Sequence, residues 1–423
     1  MRLRVYSAVL VLAAVWACDA VAEFRFPMPE FSSGYEHPQT HVPPPDLTNP
    51  AVDLAVLAVA LSLTAWAALR RRSRREIFLI AVFSIAYFGF YRKGCICSVG
   101  SIQNVLNVFI GDGMAVSFVV LGFFFLPLLF ALYFGRIFCA SVCPLGAIQE
   151  ACAVYPAQVP RPVEAVLGLL PYAYLGLTVL SVAMGSGFLI CRYDPFVGFF
   201  RQGASFNLLI AGGVLLLAGI VIARPYCRFL CPYGVLLRWT SSFSKWHVSI
   251  TPAECIQCRL CENSCPYGAI RVPMPETPPE TRQTGAKRLR WVLLTAPLVI
   301  VLSAWAGAMA HGSIARLHPV VRLAERVAAE EQGRFDKRSI ESDAFRAGQK
   351  PLTELYGEAN ALKRRFQYGS AWLGAFLGLV VVGKLIRFSV IRKNKDYVPD
   401  RGACLSCGRC FAYCPVKNGE SNA

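Results

Sequence analysis

Charged residues are scarce in this sequence. They make up 16% of its 423 residues, whereas roughly a quarter of an ordinary soluble domain is charged. Hydrophobic residues make up 55%, which excludes a soluble globular class. The formal net charge is +17, but the basic residues lie mostly in loops with no aromatic platform beside them. The charge therefore predicts no nucleic acid partner.

Histidine is also rare, and its positions exclude one class of redox protein. All five histidines lie outside the long apolar runs: His37, His41, His247, His311 and His318. A membrane haem with two axial histidines is therefore not predicted. The sequence has no GxGxxG dinucleotide fingerprint, no P-loop and no nucleophile motif. It also has no chain of carboxylates in an apolar run that would mark a proton path.

Apolar runs long enough to cross a bilayer, about 17–25 residues, recur along the chain. We place seven, at roughly 51–69, 76–92, 114–135, 164–184, 206–223, 291–310 and 369–388. They predict an α-helical polytopic protein of the bacterial inner membrane, in contact with lipid. Basic groups such as RRRSRR at 70–75 mark cytoplasmic span ends, which leaves 311–368 extracytoplasmic.

The first 50 residues read as export and linker sequence. Residues 1–22 carry Arg2 and Arg4, a short apolar core and Ala20-Val21-Ala22, a signal peptide or N-terminal anchor pattern. Cys18 is either a lipidation site or an ordinary cysteine of that segment. Residues 23–50, with HVPPPDLTNP, predict an extracytoplasmic proline-rich linker.

Eight of the seventeen cysteines form two matching runs. ECIQCRLCENSCP (254–266) and ACLSCGRCFAYCP (403–415) both have the spacing C-x2-C-x2-C-x3-C-P, which binds [4Fe–4S] clusters in bacterial ferredoxins. Structural zinc is the alternative, but zinc sites rarely use this spacing twice. Two spans lie between the runs, so both runs face the same compartment. We predict one small split ferredoxin-like domain in the cytoplasm.

In two-cluster ferredoxins the fourth cysteine of each run ligates the other cluster. That pattern predicts two crossed ligand sets. The first is Cys255, Cys258, Cys261 and Cys414, and the second is Cys404, Cys407, Cys410 and Cys265.

A second cysteine pattern is itself repeated. GRIFCASVCPLG (135–146) resembles ARPYCRFLCPYG (223–234): a basic residue, an aromatic residue and then C-x3-C-P. Cysteines at i and i+4 share one helix face, so each pair can point one way. We predict that Cys139, Cys143, Cys227 and Cys231 converge on a further iron–sulfur centre. The alternative is that they are small buried residues that ease helix packing.

A third group of cysteines lies between the two spans of each repeat. Cys95 and Cys97 are in KGCICSVGSIQN, and Cys191 is in LICRYDPFVGFF. Each repeat thus reads as span, outer cysteine loop, span and C-x3-C-P, a tandem two-helix duplication. The three cysteines are predicted near the outer surface, opposite the C-x3-C-P cysteines. They either bind a cluster or metal, or include a disulfide, which an exported loop permits.

These patterns divide the chain into eight segments. Apolar residues at helical spacing in 311–368, from Val320 to Phe366, predict two amphipathic helices that either pack on each other or dock a redox partner. The segments are 1–22, signal or anchor; 23–50, linker; 51–245, membrane domain with both repeats; 246–285, first ferredoxin half; 286–310, transmembrane helix; 311–368, helical insert; 369–390, transmembrane helix; and 391–423, second ferredoxin half.

The combined motifs resemble the membrane polyferredoxins of the NapH/NosR type, over about 77–270 and 369–415. That group includes the quinol-dehydrogenase component of periplasmic nitrate reduction and the nitrous-oxide reductase accessory protein. The resemblance implies electron transfer through the inner membrane between cytoplasmic clusters, the quinone pool or a flavoprotein, and an extracytoplasmic redox protein. Two features depart from the group: no flavinylation motif is present, and a membrane hairpin separates the two ferredoxin runs.

Three functions follow as hypotheses. The first is an electron-transfer subunit of an oxidoreductase system, in which a partner performs the substrate chemistry. The second is a maturation factor that reduces a metal centre of another enzyme, although no His/Met cluster is present. The third is a redox sensor, although no output domain is present. The sequence identifies neither the donor, the acceptor nor the direction of electron flow.

Overall fold

The computed structural model describes residues 50–94, 97–110, 116–201, 203, 205–250, 255–273, 281–335, 338–348, 350–390 and 396–415. The predicted signal segment, most of the linker, Cys18 and Cys95 lie outside the described residues. The chain divides into two compact units, Met1–Ala55 and Val56–Ala423. Of the first unit the structure describes Pro50–Ala55, where the first helix begins.

The first two helices form the start of the membrane region. Helix α1, Pro50–Trp66, continues as a π-helical turn over Ala67–Arg71. The chain then reverses at Arg72, which has a φ of 49°. Helix α2, Arg74–Ser84, continues as a π-helical stretch over Ile85–Tyr91. Ser73 caps α2 by accepting a hydrogen bond from the backbone N–H of Glu76, as N-cap serines do.

The cysteine repeats lie on the helices that follow. These are α3 Ser98–Ile110, α4 Phe118–Phe134, α5 Pro144–Cys152, α6 Arg161–Leu167, α7 Leu170–Ala183, α8 Leu189–Tyr193, α9 Pro195–Arg201, α10 Phe206–Val221, α11 Pro225–Phe229 and α12 Pro232–Ser242. A π-helical turn, Phe138–Val142, lies between α4 and α5. Pro144 and Pro232 each occupy the first helical turn of α5 and α12, where a missing N–H costs nothing.

The C-terminal part of the chain contains a long helical hairpin, α14–α18, between two short strands. The elements of this part are α13 Leu260–Asn263, β1 Ile270–Arg271, α14 Arg282–Met309, α15 His311–Ala315, α16 Pro319–Glu331, α17 Ile340–Ala347, α18 Leu352–Ser389, β2 Val398–Pro399 and α19 Arg409–Tyr413. The predicted insert is helical, and its second amphipathic stripe is the first part of α18. Val327 of α16 and Leu355 of α18 are buried in one cluster, so the two stripes pack on each other.

Each predicted apolar run overlaps helical residues, and the run at 164–184 includes residues of both α6 and α7. Four helical stretches of the described residues are long and apolar enough to cross a membrane, by length and composition: Ala51–Arg71, Arg161–Ala183, Gln283–Met309 and Leu352–Ser389. Shorter apolar helices occupy Ser98–Ile110, Phe118–Phe134 and Phe206–Val221. The chain therefore has the helices of a membrane protein, and several of its apolar helices are shorter than a full span.

Helices α14 and α18 approach each other closely along small residues. A β-carbon placed on Gly374 would lie 2.1 Å from the carbonyl oxygen of Ser303, and one on Gly307 would lie 2.2 Å from that of Ser370. Without side chains at these points the two backbones touch, which is how membrane helices gain packing contacts. The small residues therefore hold the hairpin that connects the two ferredoxin-like runs.

Gly374→Ala is expected to lower the thermal unfolding midpoint of the detergent-purified protein. The added methyl group overlaps backbone atoms, and overpacking of this kind costs about 1–3 kcal/mol. Gly383 is the matched control because it lies in the same helix and a β-carbon there meets nothing within 4 Å. Gly383→Ala should be neutral or stabilising, since alanine is the better helix former. Equal midpoints for the two variants would contradict the close contact.

The hairpin returns the second cysteine run to the first. Strands β1 and β2 pair antiparallel, with Ile270 opposite Pro399. The backbone N–H of Asp400 donates to the carbonyl of Ala269 at 2.7 Å, and Arg271 pairs with the Asp400 carboxylate at 2.5 Å. The two runs are therefore in direct contact, although α14–α18 separates them in sequence.

Candidate iron–sulfur centres

Four cysteines from both runs line one cavity. Cys404, Cys407 and Cys410 come from the C-terminal run and Cys265 from the first run; the cavity has about 380 Å³ of empty space, including space open to solvent. Its other lining residues include Ile250, Ile270 and Leu405. These four are the second crossed ligand set predicted from the sequence. Their thiols and the apolar lining fit a cluster that needs four soft ligands.

The electrostatics agree with this grouping. Burial raises the pKa of the Cys404 thiol to about 12, and Cys407 and Cys265 add to the increase. Burial likewise raises the pKa of Cys407, with Cys265 among its charged neighbours. Thiols that interact this strongly cannot all ionise in a cavity without a compensating positive charge. A cluster's iron atoms are such a charge, and metal binding releases the thiol protons.

The two runs share an unusual backbone conformation. Gln257 and Arg259 flank Cys258 and both have positive φ, at 51° and 59°; Ser406 and Gly408 flank Cys407, at 53° and 72°. Residues other than glycine rarely adopt this conformation. Alternating backbone of this kind turns successive N–H groups toward one concave space, as in many iron–sulfur sites. The N–H of Ser406 lies 3.4 Å from Cys404 Sγ.

The first run is the more open of the two. Cys261 is buried, Cys255 is half-buried and Cys258 is exposed. Cys255 and Cys261 pack in one apolar cluster with Cys410 of the other run. Cys414 follows α19 directly, and its role as the fourth ligand of this set stays a prediction.

The i, i+4 spacing predicted that the two cysteines of each C-x3-C-P pair lie on one continuous helix face. The structure does not place them on one. Cys139 lies in the π-helical turn, while Cys143 is extended and is the N-cap of α5. In the second repeat Cys227 lies in α11, and Cys231 is extended and is the N-cap of α12. The proline after each pair disfavours helix at the preceding cysteine. That prediction is therefore wrong in its local geometry.

Both repeats nevertheless have the same local structure. The backbone N–H of Cys143 donates to the carbonyl of Phe138 at 3.0 Å, and that of Cys231 donates to Tyr226 at 2.9 Å. In each case the acceptor is the aromatic residue just before the first cysteine. The second cysteine of each pair therefore stands at a helix N-terminus, where the helix dipole favours a negative thiolate.

The two pairs meet around the start of α5. The Nε2 of Gln149 lies 3.4 Å from Cys227 Sγ, and the Oε1 of Gln149 accepts from the Tyr226 N–H at 3.0 Å. A β-carbon on Gly146 would lie 3.7 Å from the same Cys227 Sγ. All four cysteines are buried. Burial raises the pKa of Cys143, and Cys227, Cys139 and Cys231 raise it further.

Arg136 and Arg224 occupy equivalent positions in the two repeats, and each lies close to the other repeat. Arg224 of the second repeat donates to the carbonyls of Cys139 and Ala140 in the first. Arg136 of the first repeat lies 3.8 Å from Cys139 Sγ, and a β-carbon on Gly234 of the second would lie 3.4 Å from its Nη2. The Nε of Arg136 is buried and, among the described residues, has no hydrogen-bond partner. A buried guanidinium with one unpaired N–H, beside the Cys139 thiol, fits an anionic metal cluster there.

These cysteines lie well inside the helical region. The Tyr233 hydroxyl, at the start of α12, donates to the carbonyl of Phe124, which precedes the end of α4 by about ten residues, or about 15 Å of helix. At its other end α12 reaches the C-terminal run, because a β-carbon on Gly402 would lie 2.8 Å from Ser242 Oγ. After α4 the chain therefore turns back into the helical region, and α12 runs from there to the C-terminal run.

The sequence predicted that Cys97 lies on the side opposite the C-x3-C-P cysteines. In the structure it lies beside one of them. Cys97 and Cys143 line one cavity, with about 440 Å³ of empty space including open solvent, among the rings of Phe88, Phe123 and Phe138. The prediction of opposite sides is wrong for Cys97, because the C-x3-C-P segments turn back into the helical region. Cys191 is exposed, and its Sγ would lie 3.4 Å from a β-carbon on Gly100 near Cys97.

Across the part of the chain that the structure describes, no three His, Cys, Asp or Glu side chains stand in single-metal-ion geometry. The structure does bring two cysteine sets together, one at the cavity with Cys265 and one around α5.

Sequence reasoning missed the buried polar residues around these cysteines. Glu150 accepts from Arg409 at 2.8 Å, Arg224 at 3.0 Å and Arg74 at 3.2 Å, and from the Tyr267 hydroxyl at 3.2 Å. Asp194 is 1% exposed and accepts from the Tyr226 hydroxyl at 2.6 Å. Arg136 and Arg224 begin the two repeated motifs, a signal that the sequence did contain.

A family model described as "4Fe-4S binding domain" matches the chain twice, at residues 116–156 and 204–251. Each match contains one C-x3-C-P segment. A second model with the same description matches residues 248–271, which contain the first ferredoxin-like run. No solved structure matches the chain.

Several curated proteins are similar to part of the chain. YccM of Escherichia coli, named provisionally as an electron transport protein, is 28% identical over 31% of this chain and 41% of its own length. Protein NirI of Paracoccus denitrificans is 30% identical over 33% of this chain and 22% of its own length. The regulatory protein NosR of Pseudomonas aeruginosa is 29% identical over 44% of this chain and 28% of its own length. The chain therefore spans less than half the length of these relatives.

Proposed function

We propose that this chain, whose resemblance to the NapH/NosR type of polyferredoxin the comparisons confirm, carries electrons through a membrane by iron–sulfur clusters. The observation that carries the proposal is the meeting of Cys265 with Cys404, Cys407 and Cys410 in one cavity. Cysteines from distant parts of the chain have no other evident reason to converge in one apolar space. A bound [4Fe–4S] cluster supplies one-electron oxidation and reduction without moving atoms.

The two runs act as one split ferredoxin-like domain in this proposal. Pairing of β1 with β2 supports it, as does the shared apolar cluster of Cys255, Cys261 and Cys410. The hairpin α14–α18 leaves and returns, so it fixes the second run against the first. Each run then contributes three ligands to one cluster and its fourth cysteine to the other.

The C-x3-C-P cysteines form a further centre within the tandem repeats. Cys139, Cys143, Cys227 and Cys231 would hold it, with Cys97 and Cys191 close to it. The helix N-termini behind Cys143 and Cys231, and the guanidinium groups of Arg136 and Arg224, would compensate the negative thiolates. The surrounding aromatic side chains keep water out, which strengthens each of these interactions.

The proposed path joins two sides of a bacterial inner membrane. A quinol, a flavoprotein or a cytoplasmic protein serves as donor at the ferredoxin-like runs or the membrane centre. An extracytoplasmic redox protein accepts on the side of the 311–368 insert. The name of YccM supports electron transport, and partner and direction are part of the proposal.

Protein purified without oxygen is expected to carry at least two [4Fe–4S] clusters, which is about eight iron atoms per chain. The physical reason is the two complete ferredoxin spacings, each brought into contact with the other. Iron and acid-labile sulfide analysis, with EPR of the dithionite-reduced protein, measures this. About four iron atoms or fewer in an intact chain would contradict the proposal.

A further inference from the structure

A buried network of charges lies between the membrane cysteines and the C-terminal cysteine run. At its centre is Glu150, on α5, just beyond the C-x3-C-P motif of the first repeat. Arg224, of the second repeat, donates to one carboxylate oxygen and Arg409, of the C-terminal run, to the other. Glu150 is 8% exposed and Arg224 is 0% exposed. Buried ions at such positions require each other.

Arg224 contacts the first repeat directly and the C-terminal run through Glu150. Its Nη groups donate to the carbonyls of Cys139 and Ala140, so it fixes the turn that carries Cys139. Its Nε donates to Oε2 of Glu150, and Arg409 of the C-terminal run donates to Oε1 of the same carboxylate. One guanidinium is therefore held against the Cys139 turn on one side and, through a single carboxylate, against the C-terminal run on the other.

Arg136, in the first repeat, also lies between the membrane cysteines and the C-terminal run. Its Nη2 lies 3.8 Å from Cys139 Sγ, and its Nη1 donates to the carbonyl of Gly402, near Cys404, at 3.4 Å. Arg136 is 7% exposed. The two arginines occupy the same position in the two repeated motifs. Arg136 reaches the C-terminal run directly, and Arg224 reaches it through Glu150.

The first ferredoxin-like run is more exposed to solvent around Cys258 than the C-terminal run is around Cys407. Cys258 is exposed, and the adjoining Ile256 is 64% exposed. Arg259, between Cys258 and Cys261, is exposed as well. Cys258 therefore lies on the solvent side of this run, while Cys265 belongs to the other set.

We propose that Arg136 and Arg224 are positioning residues shared by the membrane cysteines and the Cys404–Cys407–Cys410–Cys265 site, which makes that site the direct neighbour of the membrane centre. This inference rests on the proposed function. Two fixed positive charges between two anionic centres favour the reduced form of both. The Cys255–Cys258–Cys261 site, whose Cys258 is exposed, is left as the exchange point for a cytoplasmic partner.

The test uses the full-length protein in detergent, with EPR-monitored redox titrations. Cys407→Ser and Cys258→Ser first assign the two ferredoxin-like signals. Arg136→Gln is the principal variant because it removes one charge and only one carbonyl hydrogen bond. We expect the membrane and Cys407 centres to become harder to reduce, each by about tenfold in the ratio of reduced to oxidised form, or about 59 mV for a one-electron couple. The Cys258 centre should keep its potential.

Three further variants separate the effect of charge from an effect on folding. Arg136→Lys retains the charge and should restore most of the shift. Arg74→Gln removes another arginine from Glu150 without removing a contact to a cysteine turn, and should change both potentials much less than Arg136→Gln does. Arg224→Gln should act in the same direction as Arg136→Gln, provided that its iron content equals that of the unaltered protein.

Magnetic coupling gives a second readout, which needs no arginine variant. In the fully reduced protein, spin–spin broadening should join the Cys407 signal to the membrane signal. It should persist in Cys258→Ser and vanish in Cys407→Ser. Coupling of the membrane signal to the Cys258 centre instead, or equal shifts at all three centres in Arg136→Gln, would overturn the inference while leaving electron transport intact. Protein without clusters would overturn the proposed function itself.

Discussion

Replacing Cys265 with serine is expected to empty the site of the C-terminal run, although Cys265 belongs to the first run. Cys265 lines one cavity with Cys404, Cys407 and Cys410. Serine offers a hard oxygen in place of a soft thiolate, which suits iron–sulfur ligation poorly. We expect a loss of about four iron atoms per chain and of one EPR signal. Iron analysis and EPR of the anaerobically purified variant measure this.

Double variants make the expectation sharper. Cys265→Ser combined with Cys404→Ser should lose no more iron than either single variant, because both remove the same cluster. Cys265→Ser combined with Cys258→Ser should lose about twice as much, since two clusters are affected. Non-additivity of this kind identifies residues that act as one unit. Additive losses for Cys265 and Cys404 would show that each run ligates its own cluster.

Glu150→Gln is expected to detach the ferredoxin-like runs from the cysteine repeats. Glu150 accepts hydrogen bonds from Arg224, Arg409 and Arg74. Glutamine has the same size but leaves the fully buried Arg224 without its carboxylate. Breaking a buried ion pair from one side costs about 3–5 kcal/mol. The thermal unfolding midpoint should fall, and trypsin should cut more readily near residues 396–415.

The control for this variant is Glu164→Gln. Glu164 also pairs with an arginine, Arg228 at 2.8 Å, but its side chain is 39% exposed. Solvent screens such a pair, which contributes about 0–1 kcal/mol. A fall in the Glu150→Gln midpoint no larger than that in Glu164→Gln would contradict the structural role of the network.

The same network predicts a pH dependence. Burial by itself raises the pKa of Glu150, but attraction to Arg224, Arg409 and Arg74 outweighs it and lowers the pKa from 4.5 to about 2. A carboxyl group with a lowered folded-state pKa contributes stability above its unfolded value, and that stability is lost on acidification. Stability of the unaltered protein should therefore fall from about pH 4.5 toward pH 2, and Glu150→Gln should lack this component.

The sequence could predict the elements whose cause is local. Apolar runs become helices because a helix satisfies its own backbone hydrogen bonds in any apolar surrounding. The cysteine spacings predict cluster ligands because ligand type and loop length are properties of a short segment. The rule of two-cluster ferredoxins also predicted, from spacing, that Cys265 is grouped with the C-terminal run, and Cys265 lines the cavity of that run.

The local structure of the C-x3-C-P segments was harder to predict, because two local rules conflict there. Spacing at i and i+4 favours one helix face, whereas the following proline disfavours helix at Cys143 and Cys231. The proline prevails, and each second cysteine becomes a helix N-cap. A thiol at that point faces the positive end of a helix, which a continuous helix would not have provided.

By itself the sequence determined that this is a helical membrane protein with iron–sulfur cysteine motifs, because hydropathy and ligand spacing are written within short segments. Only the tertiary structure decided which residues lie between those motifs. In the sequence Glu150 looks like an ordinary loop charge, Arg136 and Arg224 show only that they begin a repeated motif, and Cys97 looks like a cysteine of a distant loop. Their roles depend on segments far apart in the chain coming together after α4, which no short segment encodes. Burial there removes water, and the charges are then left to pair with one another.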